Sequence, residues 1–147
     1  MIQTIDIRNG KRLREYKTYA HLSGMVDDLQ AIARPIARKL QGKTVWMINS
    51  TANGGGVAEM LPKMVGMLRQ LGVPTQWLVF SPENEAFFHL TKRIHNLIHD
   101  LGQPGFSADE KALYEAVSKA AADQLEKMIP PVDLLVVHDP QPLGAGA

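Results

Sequence analysis

Two short segments carry residue types able to do chemistry. Asn49-Ser-Thr-Ala-Asn-Gly-Gly-Gly56 closes on three consecutive glycines, and His138-Asp-Pro-Gln141 sets an imidazole, a carboxylate and an amide close together. Consecutive glycines let the backbone approach a ligand closely. A helix starting there aims free amides and its positive dipole end at the same spot. That chemistry suits a phosphate or another anion. No Lys-Ser/Thr follows the glycines, so this is no Walker A loop, and the G-x-G-x-x-G spacing of dinucleotide sites is missing. The competing reading is a tight strand-to-helix connection that uses glycine only for turning. His138 and Asp139 stand where a strand end holds side chains rigidly within reach of a ligand. Alternatively, His138 is a half-buried strand-end residue and Asp139 merely opens a turn. Because Asp139 precedes Pro140, an extended backbone is expected there.

Other candidates carry less. His95 and His99 are four residues apart, the spacing of a two-histidine metal pair on one helix face. Neither an H-E-x-x-H pattern nor a third ligand accompanies them, so they read as surface or groove histidines and no metal is expected. Lys92 and Arg93 beside them read as a solvated face. Ser50 is not in a G-x-S-x-G elbow.

The elements that must position these residues follow from periodicity. Thr44–Asn49, Thr75–Phe80 and Asp133–Val137 are short apolar runs, as expected of strands buried on both faces. Between the first two lie the glycine turn and Val57, Leu61, Met64, Leu68 and Leu71 at helical spacing, closed by Gly72 and Pro74. Strand, turn, helix and strand in so few residues form a βαβ unit with parallel strands. Leu22, Val26, Leu29, Ile32, Ile36 and Leu40 predict an earlier helix, which Pro35 should kink or split. Phe87, Leu90, Ile94, Leu97 and Ile98 predict another. Ser107 and Glu110 form a capping box ahead of a helix through Leu113, Val117, Ala120, Ala121, Leu125 and Met128, which Pro130-Pro131 stops. At the start, Ile5 and Ile7 alternate with polar residues, Asn9-Gly10 supplies a two-residue turn, and Leu13 begins a return strand, so residues 1–17 read as a β-hairpin appendage. In an open parallel sheet, ligands gather beyond the carboxyl ends of the strands. Both candidate segments sit there.

Composition narrows the function classes. The chain has 147 residues, 16 Lys plus Arg against 15 Asp plus Glu, a formal net charge of +1, and no cysteine. Nearly balanced charge argues against a nucleic-acid partner held by phosphate neutralisation. Lack of cysteine removes disulfides, thiolate metal sites and a cysteine nucleophile, and a reducing compartment is expected. Met1 to Lys11 has no apolar core and is no secretory signal. Met64 to Leu68 and Leu134 to Val137 are too short to cross a bilayer. A cytoplasmic protein without a membrane partner is expected.

Taken together, Asn49-Ser-Thr51, Gly54-Gly-Gly-Val-Ala-Glu-Met-Leu61, Thr91-Lys92 with His95-Asn96, and Val137-His-Asp-Pro-Gln-Pro142 resemble, in order and spacing, the family 4 retaining glycosyltransferases related to trehalose synthase and trehalose phosphorylase. The resemblance runs from about Leu13 to Pro142. It implies a two-domain GT-B fold, and transfer of glucose from a nucleotide-sugar donor to a sugar acceptor with retention, trehalose being the product. No obligatory metal and no cofactor beyond the donor substrate are implied. Gly54, Gly55 and Gly56 would approach the donor diphosphate. His138 and Asp139 would line the acceptor pocket beside the reacting carbon as the catalytic pair, with Asp139 accepting a hydrogen bond from a sugar hydroxyl. Gln141, His95 and Asn96 would complete substrate binding. Ser118 and Ala121 stand where the family pattern would place asparagines.

The expected fold is therefore α/β, a partial Rossmann-like domain in three layers, with the Asp133 strand beside the Thr44 strand and opposite the Thr75 strand. On the resemblance, the chain is a truncated amino-terminal domain whose donor-binding partner domain is absent, and it is inactive when isolated. Its function is then the acceptor side of a glycosyltransferase. The alternatives are a non-catalytic sugar- or phosphate-binding protein and a self-associating protein that uses only the fold. A nucleotide-linked dehydrogenase ranks last, for want of the glycine fingerprint. An exposed strand edge at Asp133–Val137 and a tail, Leu143 to Ala147, too glycine-rich to form a covering helix predict a homodimer or larger assembly.

Overall fold

Residues 1–7 and 10–146 are described by a computed structural model. The chain order is β1 (Ile2–Ile5), α1 (Leu13–Tyr16), α2 (Ala20–Lys39), β2 (Val45–Asn49), α3 (Gly56–Gln70), β3 (Thr75–Phe80), α4 (Glu85–Ile98), α5 (Ala108–Met128), β4 (Leu134–Val137) and a terminal 3-10 turn, Leu143–Ala145. The sheet order is β1-β3-β2-β4. β2 pairs in parallel with β3 on one side and with β4 on the other. The strands alternate faces, as their two-residue period requires. Ile48, Leu78 and Phe80 turn to one side, where Phe87 of α4, Ala121 and Leu125 of α5, and Ala145 of the terminal turn cover them. Val45, Met47, Trp77 and Val79 turn to the other, against Leu61 and Val65 of α3, with Ala37 of α2 and its C-cap residue Leu40 alongside. Helices on both faces make this a three-layer, partial Rossmann-like α/β domain.

The amino terminus departs from the hairpin expectation. The Asn9 half of the expected turn lies outside the described residues, but the return strand is replaced by helix α1, and β1 joins the main sheet antiparallel to β3, Ile2 opposite Phe80. Burial decides this. Ile2 reaches the core, and Gln124 of α5 clamps its backbone, accepting from Ile2 N at 3.1 Å and donating to Ile2 O at 3.0 Å. Leu13 is buried as well, its amide donating to Gln70 Oε1 at 2.7 Å. A local turn preference cannot compete with long-range contacts of this kind.

Helix α2 runs through Pro35 without splitting. The amide missing at Pro35 would have bonded to the carbonyl of Ala31, an exposed residue whose carbonyl solvent can satisfy. The capping box at Ser107 and Glu110 forms as expected. Arg93 is no solvated cation: it grips both carboxylate oxygens of Glu110, at 2.6 and 3.0 Å, and lies over the Phe106 ring. The glycine-rich tail does cover α5, as a single 3-10 turn that buries Ala145. Ser118 and Ala121 face that core contact. β4 is an edge strand whose Leu134 and Val136 stay exposed: they lie on the α3 face of the sheet, beyond the part that α3 covers.

Asp133 fixes the start of β4. Its Oδ2 accepts from the Trp46 indole at 2.9 Å and its Oδ1 from the Thr44 amide at 2.8 Å. The indole first, then the amide, and with them the charge of Lys43, hold this carboxyl below the ordinary carboxylate range. A depressed native pKa contributes stability above the unfolded value of about 3.9, and that contribution is lost as pH falls through the folded value. Asp133→Asn is therefore expected to flatten the decline in thermal midpoint below about pH 4. Calorimetry across the acid range checks this; an unchanged acid slope would remove Asp133 from the account.

Candidate functional site

The site is assembled where β2 and β4 end. At the end of β2 the fully buried Asn49 spends both halves of its amide: Oδ1 accepts from the Trp77 indole at 2.8 Å, and Nδ2 donates to the Thr51 carbonyl at 2.7 Å. The second bond shapes the loop that follows. Thr51 Oγ1 then donates to the Asn53 carbonyl at 2.7 Å. Gly54 and Gly55 adopt φ of +76° and +89°. A Cβ at either would meet nothing within 4 Å, so the need for glycine there is conformational and not steric. Helix α3 starts at Gly56. Its N-cap is a glycine with no side chain to offer, which leaves the first amides free to face a ligand.

At the end of β4, Asp139 has φ +70°, which overturns the extended backbone expected before Pro140. Two hydrogen bonds drive this: Asp139 Oδ2 accepts from the Ser50 amide at 3.1 Å and from Ser50 Oγ at 2.9 Å. Aspartate is among the few residues that tolerate this region. The contact spans 89 positions of chain and locks the β4 end to the loop after β2.

A cleft of ≈ 250 Å³ results, lined by the glycine loop through Ala58, by Asn49, Ser50 and Thr51, by Asp139, Pro140 and Gln141, and by Lys92 and His95 of α4. Gly54, Gly55, Gly56, His95, Asp139 and Gln141 thus share one cavity. His138 and Asn96 are not on its lining. The His138 amide donates to Ile48 O at 2.8 Å, and its Nε2 is buried without a partner among the described residues. Gln141 Oε1 is likewise buried and unpartnered. Sequence reasoning missed Lys92 as a lining residue and Ser50 as the group that holds Asp139. Lys92 and His95 lie three apart and so share a helix face, the signal that would have found the first. The second depends on a contact no local pattern reveals.

Chemically, the lining offers free amides, an ammonium and a carboxylate oxygen, with the Gln141 side chain set into the wall. That pairing fits a ligand bearing both negative charge and hydroxyls. The volume is below the ~300–1,000 Å³ of pockets that enclose whole cofactor-sized molecules, so one sugar ring or one phosphate group is the proper scale. Among the described residues no group of three or more His, Asp or Glu could hold a metal ion, and no helix is long and apolar enough to cross a membrane.

Comparison with known proteins gives a consistent picture. The family described as trehalose synthase, N-terminal domain, matches residues 47–147. The trehalose synthase of Thermococcus litoralis is 32% identical over 133 residues, which cover 90% of this chain and 30% of that protein. That of Rubrobacter xylanophilus is 34% identical over 115 residues, 78% of this chain and 27% of its own length. That of Pyrococcus horikoshii is 32% identical over 143 residues, 97% and 32% respectively. The chain spans about a third of the length of the relatives it matches.

Proposed function

From the premise that this chain belongs to the trehalose synthase N-terminal domain family, we propose that it is the acceptor-side part of a retaining GT-B glycosyltransferase, which transfers glucose from a nucleotide-sugar to a sugar acceptor. The observation that carries this is the cleft itself, which brings the glycine loop, Asp139 and Gln141 into one cavity. In this reading the amides of Gly56, Val57 and Ala58, with Lys92, steady the charge that develops on the leaving diphosphate. Asp139, one oxygen fixed by Ser50, accepts a hydrogen bond from an acceptor hydroxyl through the other. Gln141, whose side-chain oxygen is buried in the wall, turns into the cleft to accept a second. His95 borders the acceptor from the cleft lining, while His138 and Asn96, off that lining, contribute only by supporting the wall.

Amide chemical shifts during titration with glucose, trehalose and a nucleoside diphosphate test this. The diphosphate is expected to shift Gly54 to Ala58, and the sugars Asp139 to Gln141. Asp139→Ala should weaken the sugar by about tenfold or more, the worth of a hydrogen bond to a charged group. Silence at both strand ends with millimolar ligand ends the proposal. The open edge of β4, with Leu134 43% and Val136 38% exposed, supports self-association as a second reading. It fails if light scattering at micromolar concentration gives a single-chain mass throughout.

A further inference from the structure

We propose that His95 and His99 form a two-ligand site for a borderline divalent transition ion of the zinc class, at the rim of the cleft. Both rings are exposed near the C-terminal end of α4. Their centroids are 4.8 Å apart and their planes tilted by 60°. The tilt matters, because a nitrogen lone pair lies in its ring plane and two stacked parallel planes share no point. Tilted planes intersect along a line, and an ion on that line lies in both.

The separation fits as well. An imidazole nitrogen binds zinc at ~2.0–2.1 Å, which puts each ring centre about 3.2 Å from the ion. Centroids then stand about 4.5 Å apart for a right-angled pair and about 5.2 Å for a tetrahedral one. The observed 4.8 Å lies between these limits.

The end of the helix adds a favourable field, since its free carbonyls and negative dipole end attract a cation. Imidazole nitrogens select zinc, copper or nickel over magnesium and calcium, which prefer oxygen. With two protein ligands and no third in reach among the described residues, the ion keeps open positions for water. It is therefore an accessory ion and not a structural one. Because His95 also lines the cleft, an ion here meets whatever enters from that side. The site rests on ring geometry alone and stands or falls independently of the glycosyltransferase reading.

Calorimetric titration of the full chain with zinc chloride, in a buffer free of chelators and phosphate, tests it. One ion per chain is expected. Holding an ion by one ring makes the second bond intramolecular, so loss of either ring should weaken binding by about 100-fold. His99→Gln is the primary variant, because His99 is outside the cleft lining; His95→Gln should match it, and His89→Gln should bind as the parent does. Far-ultraviolet circular dichroism establishes that each variant is folded. Absence of binding at millimolar zinc overturns the proposal, as does zinc affinity in His99→Gln within about threefold of the parent. If only the His89 variant loses the ion, the site lies elsewhere and the pair is not a chelate.

Discussion

Replacing Asn49 with alanine is expected to cost about 3 kcal/mol of stability. Both hydrogen bonds of the side chain vanish, and the Trp77 indole, 3% exposed, keeps a donor with no partner and no water. A net hydrogen bond is worth about 1 kcal/mol, and a stranded buried donor costs about 1–3 kcal/mol more. The loop should loosen too, because Asn49 Nδ2 holds the Thr51 carbonyl at its first turn. Urea unfolding supplies the stability change. The second variant, Trp77→Phe, removes the donor itself, so Asn49→Ala made in that background should cost markedly less than in the parent. Full additivity, or a loss under about 1 kcal/mol, would mean the pair does not hold the β2 end.

The tail gives the second large effect. A Cβ at Gly144 would stand 2.5 Å from Ser118 Oγ, 2.8 Å from Tyr114 Oη and 2.9 Å from Tyr114 Cε1. The serine hydroxyl can rotate away. Tyr114 cannot easily yield, since its ring stacks on the fully buried Phe87 at 6.0 Å. Gly144→Ala should therefore cost about 1–3 kcal/mol, as overpacking of a filled contact does. If the turn detaches instead of straining the core, hydrogen exchange will show lost protection at Ala145 and Gly146 while the β2 amides stay protected. A variant with parental stability and exchange would show that the turn does not rest on α5. The same close approach accounts for Ser118 and Ala121: small side chains there admit the tail backbone.

Much of the fold is legible because it is local. The parallel core of β2, β3 and β4 follows from apolar runs separated by helical periodicity, and the family resemblance supplies their order. Gly54 and Gly55 announce a backbone only glycine adopts readily. The capping box at Ser107 and Glu110 is a four-residue pattern and forms as written. Each of these signals lies within one element or one turn, where sequence neighbours are also neighbours in space.

What only the tertiary structure decided depends on distant partners. Ile5, Ile7 and Asn9-Gly10 satisfy every local rule for a hairpin, yet β1 pairs with β3, because the β3 edge and a core place for Ile2 outweigh a turn preference. Pro140 argues for extended backbone at Asp139, yet two hydrogen bonds from Ser50, 89 residues away, hold it at φ +70°. Lys92 is exposed, as its solvated-face reading expects, but that it also lines the cleft emerges only once α4 is laid beside the glycine loop. The sequence by itself determined the periodic elements, the parallel sheet and the two segments at its strand ends. Which side chains meet across the cleft was settled by packing, since the energy that fixes them comes from contacts whose partners no local window contains.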